Sequence, residues 1–161
     1  MIWLRALEFL GLSVWLGSDI FLSFVVAPGA FRVLAPNRDQ AGAVVGFALT
    51  KMHLIGIGCG VVVLLVRLLR TKAVSSLAAP AALCVVLMIV LTTVSQIAVT
   101  PKMAVLRTQM GSIQATAVES PLLGEFAKLH QVSVTLESGV LLAGIACIFL
   151  MVRELAQGIA R

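Results

Sequence analysis

Phe47-Ala48-Leu49-Thr50-Lys51-Met52-His53 and Phe126-Ala127-Lys128-Leu129-His130 are two copies of one phrase, and each puts a histidine at the start of an apolar run. The segments before them also match. One closes on Val26-Ala27-Pro28-Gly29-Ala30-Phe31-Arg32, the other on Val99-Thr100-Pro101-Lys102-Met103-Ala104-Val105-Leu106-Arg107. No other histidine occurs in the 161 residues. Two halves so alike predict two parallel helix-pair repeats, with both imidazoles at similar depth in one bundle, where a shared ligand becomes possible.

Composition sets the solvent. With 60% hydrophobic and 12% charged residues and a mean hydropathy of +1.10, the chain is too apolar for a water-soluble domain of this size. A spanning helix needs roughly 20 mostly apolar residues. Four runs satisfy that, at about 2–27, 43–69, 77–100 and 126–152, and little is left for a soluble domain. The expected fold is an all-α integral membrane protein, a four-transmembrane-helix bundle forming one domain over 1–161. The first run resembles a signal peptide only superficially, because its length and its Trp15 and Asp19 suit a true span. Between 101 and 115, Met103, Leu106, Met110 and Ile113 recur at helical spacing among polar residues, which predicts a helix lying in the interface.

Four spans put the termini and the 2–3 loop on one side. That side carries Arg5, Arg67, Arg70, Lys72, Arg153 and Arg161, against Arg32, Arg38, Lys51, Lys102, Arg107 and Lys128 on the other. The count is tied. The tight Arg67-Arg70-Lys72 group points to cytoplasmic termini, in a bacterial inner membrane. The net charge of +5 reads as contact with anionic lipid rather than nucleic acid, for which no basic-plus-aromatic module is present. The bilayer is the one partner composition requires; Gly56-x-x-x-Gly60 also suits the face of a homodimer or larger membrane complex.

Ionisable residues inside spans are costly and face the bundle interior. Glu8, Trp15 and Asp19 share one face of the first helix. His130, Ser133 and Glu137 repeat that spacing on the fourth; His53, Gly56 and Gly60 repeat it on the second. Counting from the helix ends puts Glu137 roughly 10 Å deeper than His130. A polar pocket of Asp19, His53, Gln96, His130 and Glu137 is therefore expected in one leaflet, with Lys51 and Lys128 at its rim. Cys59, Cys84 and Cys147 all fall inside spans without C-x-x-C spacing and read as packing residues.

The chain resembles the transmembrane protein 205-like family. The likeness lies in Trp15-x-Gly17-x-x-x-Phe21, Ala27-Pro28-x-x-Phe31, His53 with Gly58-Cys59, Pro101, and Lys128-Leu129-His130-x-x-Ser133. It implies a small four-helix membrane protein. That family often carries Asn where this chain has Glu137. Trp3-Leu4-Arg5-Ala6-Leu7-Glu8 followed by Trp15 also resembles, more distantly, the first helix of HemJ-type protoporphyrinogen oxidases and copper-resistance D membrane proteins. Those families commonly place a histidine at the position of Glu8, and their resemblance implies haem or copper.

Three functions fit. A haem b could lie between His53 and His130 for electron transfer or haem-linked redox chemistry, with Gly56 and Gly60 leaving room for the macrocycle and Lys51 and Lys128 pairing with propionates. A copper or zinc ion could be bound or transported by His53, His130, Asp19 and Glu137. Alternatively, the same residues could bond helix to helix in an accessory scaffold without chemistry of its own. No catalytic residue is identified: a Ser-His-Asp arrangement, a phosphate loop, H-E-x-x-H and a dinucleotide fingerprint are all missing.

Overall fold

The computed structural model describes residues 2–159. Four helices, each long and apolar enough to cross a membrane, run up and down: α1 (Ile2–Val33), α2 (Arg38–Thr71), α3 (Pro80–Met110) and α4 (Pro121–Ile159). No strand occurs among the described residues. α1 packs most extensively on α2, and α3 on α4. Contacts of α2 with α3 and of α4 with α1 close the ring. Large apolar side chains such as Leu10, Phe24, Leu54, Leu65, Leu142 and Phe149 stand exposed on the outside, as a lipid-facing surface requires.

Each helix outruns its apolar core. Asn37 caps α2 by accepting from the Gln40 N–H at 3.2 Å, so the helix begins before the hydrophobic run. Lys72, left-handed at φ 54°, ends it. Pro80, which has no N–H to leave unpaired, opens α3 after a short 3₁₀ turn at Val74–Ala78.

Prolines at Pro28 and Pro101 do not end their helices, contrary to the sequence-based bounds at 27 and 100. A proline removes one backbone donor and crowds the carbonyl one turn earlier. Both helices absorb this through a π turn, Leu22–Val26 in α1 and Ser95–Val99 in α3. In these turns Ala27 N–H bonds the Leu22 carbonyl and Thr100 N–H the Ser95 carbonyl. Residues 100–110 consequently continue α3 rather than forming a separate interfacial helix. Arg107 ties this extension to the start of α2, donating to the Gly42 carbonyl at 3.2 Å and stacking on Phe126 of α4 at 5.9 Å. The two π turns fall at equivalent places in the two halves.

The core is a dry layer at mid-bundle: Leu12 and Trp15 from α1, Val63 from α2, Val85 and Met88 from α3, Val140 and Cys147 from α4. Its closest fit is Trp15 against α2. The indole lies over Gly56 and Gly60, where an added Cβ would overlap Nε1 at the first and come within 2.6 Å of Cζ3 at the second. Small residues let membrane helices approach this closely. Gly56→Ala should therefore destabilise the protein by about 1–3 kcal/mol, the usual cost of overpacking. Thermal unfolding in detergent would show the loss, and Gly58→Ala, where an added Cβ meets nothing within 4 Å, should leave stability nearly unchanged.

Candidate functional site

One turn beyond Trp15, the four helices bring polar side chains together. His53 on α2 is 0% exposed. Its Nδ1 lies 2.8 Å from Gln96 Oε1 on α3 and its Nε2 lies 2.7 Å from Glu137 Oε1 on α4. Ser95 donates to the same Glu137 oxygen at 3.2 Å. Ser95 and Gln96 are consecutive, yet both reach the interior because they start the π turn, whose wider winding keeps neighbouring side chains closer in direction. Asp19 of α1 is buried alongside, within electrostatic reach of both Glu137 and His53. It accepts from the Ser23 hydroxyl at 3.3 Å.

Both imidazole nitrogens thus have polar partners, and the charge of the ring follows from which of these partners donate and which accept. With His53 protonated and Glu137 ionised, the two form an ion pair inside a membrane span. In so low a dielectric, the alternative with the proton on Glu137 and a neutral ring differs by one short proton transfer.

A second polar level sits at the other end of the bundle. Arg70 donates to both oxygens of Glu8, at 2.7 and 3.2 Å. Arg67, itself buried, donates to Glu154 at 2.7 Å and to the Ser76 carbonyl at 3.1 Å. The sequence reading put these arginines at a loop. The structure places them inside α2, paired across the bundle, because α2 runs on to Thr71. Their three-residue spacing, opposite acids near the ends of the first and fourth helices, was the available signal.

Of the expected site residues, His53, Gln96, Asp19 and Glu137 come together and His130 does not. His130 is exposed on α4, two turns from Glu137 toward the helix start. Lys51 and Lys128 are exposed as well, Lys51 lying 5.5 Å from the Phe47 ring. The room foreseen over Gly56 and Gly60 is filled by Trp15. With both His53 nitrogens engaged, the residues do not fit a macrocycle held between His53 and His130. Among the described residues, no group of three or more His, Cys, Asp or Glu side chains is arranged to hold a metal ion. Ser95 and the filling role of Trp15 were not foreseen, since a π turn and a cross-helix fit leave no mark in spacing alone.

Fold and site together define a four-helix membrane protein with a charged hydrogen-bond cluster buried in one half of its bundle. The chain belongs to the family described as a domain of unknown function, DUF4149, whose model matches residues 10–112. No curated protein and no solved structure matches it. The matched stretch contains Asp19, His53 and Gln96, while Glu137 lies beyond it.

Two substitutions test the pairings. Glu137→Ala leaves His53 and Ser95 without their shared acceptor and should cost about 1–3 kcal/mol, with Glu137→Gln recovering part. Arg70→Ala strands the buried Glu8 carboxylate and should cost more, about 3–5 kcal/mol. Denaturation of the detergent-solubilised variants would rank them, and an Arg70→Ala protein as stable as wild type would contradict the pairing.

Proposed function

We propose that the protein exchanges a proton between the Asp19–His53–Glu137 cluster and the water on the side opposite its termini, as the proton-carrying part of a membrane transport or energy-coupling system. The observation that carries this reading is the fully buried imidazole bonded at both nitrogens beside a second buried carboxyl group. Ionisable side chains inside spans are costly, and proton relays are one of the functions they mark. Charge balance supports it. With His53 protonated and both carboxyl groups ionised the cluster carries one net negative charge, and one more proton neutralises it. The dry layer of Leu12, Trp15, Val63, Val85, Met88 and Val140 separates the cluster from the Glu8–Arg70 level, so exchange runs from one side.

The resemblance to the transmembrane protein 205-like family belongs to this proposal, as does a bacterial inner membrane with cytoplasmic termini. On that orientation the cluster lies in the outer half of the bundle, and the Glu8, Arg67, Arg70 and Glu154 level lies toward the cytoplasm.

Infrared difference spectra recorded across a pH titration should show a buried carboxylic acid band that Asp19→Asn or Glu137→Gln removes. Absence of any titrating buried carboxyl would refute proton exchange here. The same purified protein should give no Soret peak and no sharp α-band on dithionite reduction. A six-coordinate haem spectrum lost in His53→Ala and His130→Ala would instead establish haem between them.

A further inference from the structure

A groove of about 390 Å³ runs along the outer surface of the bundle between α1 and α2. Leu7, Leu10 and Val14 form one wall, and Ile55 and Val62 the other. Two glycines shape it. At Gly11 an added Cβ would come within 2.8 Å of Val63, so this glycine draws the helices together and makes the floor. At Gly58 an added Cβ meets nothing within 4 Å. Glycine weakens a helix interior, and close packing does not call for it there. What the missing side chain leaves is room in the groove. The volume lies in the range of small-molecule sites, and the lining is apolar apart from the Cys59 thiol.

We propose that this groove holds one acyl chain of an anionic phospholipid from the leaflet on the terminus side. Length fits. Trp3, 80% exposed, shares the helical stripe of Leu7, Leu10 and Val14, and a tryptophan at a span's end sits at the headgroup level. From Trp3 to Val14 is about 16 Å at 1.5 Å per residue, close to the roughly 15 Å depth of one leaflet's hydrocarbon. Charge fits as well. Glu154 and Glu8 are taken by Arg67 and Arg70. Arg5, Lys72 and Arg153 at the same end have no acidic partner among the described residues. Basic groups beside a span draw anionic headgroups. A convex helix face touches a chain on one side, whereas a groove between two helices surrounds more of it with contacts. The lipid in the groove is therefore retained when its neighbours exchange.

Native mass spectrometry tests this on the detergent-purified protein, offered equal amounts of phosphatidylglycerol and phosphatidylcholine with identical chains. One phosphatidylglycerol should be retained per protein chain, saturably. Gly58→Leu fills the groove and should cut retention about tenfold or more, while leaving the unfolding temperature in detergent unchanged. Leu10→Trp, on the opposite wall at a position 59% exposed, should act the same way. Lys72→Gln should keep the chain seated and lower the preference for phosphatidylglycerol about fivefold. Retention unchanged in both groove variants, or equal retention of the two lipids by the wild type, would overturn the proposal. A wild-type dimer that Gly58→Leu separates into monomers would overturn it too, and would assign the groove to a second copy of the chain.

Discussion

A bilayer offers no water to a polar group that turns away from its partners, and this constraint governs how the four helices can sit. The His53 ring has two nitrogens to satisfy at once. It finds Gln96 on α3 and Glu137 on α4, so a single side chain on α2 fixes the register of two neighbouring helices. Removing either partner costs more than one hydrogen bond, because what remains is a stranded polar group in hydrocarbon. The same logic operates at the other end, where Arg70 joins α2 to α1 and Arg67 joins it to α4. Each of the three side-chain acid–base pairs among the described residues thus includes a residue of α2. The apolar layer between the two levels adds close packing, set by a large indole over two glycines.

The halves share a plan and differ in what they do with it. Both carry a proline preceded by a π turn, and both open the next helix with Lys-x-His. In the first half the histidine turns inward, and the face below it is glycine, filled by Trp15. In the second half the histidine is exposed, and the corresponding face carries Ser133 and Glu137. At these matching positions one half supplies the buried imidazole and the other the carboxyl group. Matching sequence therefore does not give matching surroundings to the two histidines.

Much of the fold was legible because bilayer-spanning helices announce themselves by length and apolarity. The inward faces followed from the seven- and four-residue spacing of Glu8, Trp15 and Asp19. Helix ends were less legible, since Asn37 capping, π turns at proline and a left-handed Lys72 act outside the hydrophobic runs. At the site, Asp19, His53, Gln96 and Glu137 could be read from charge in a membrane span. His130 could not be told apart from His53, as the difference lies in which neighbours stand beside each ring. Gly56 and Gly60 signalled close approach correctly but not by what, and an indole fourteen or more residues into another helix answers a question that spacing on α2 does not ask.

Because the cluster lies in one half of the bundle and the dry layer lies beyond it, a proton that reaches it from the near side crosses only part of the membrane's electric field. A full crossing is worth about 2.3 kcal/mol per elementary charge per 100 mV. Occupancy from the near side therefore responds weakly to membrane voltage. The steep part of the potential falls across Leu12, Trp15, Met88 and Val140, where the low dielectric concentrates it. Any step that carries charge past that layer is the electrogenic one.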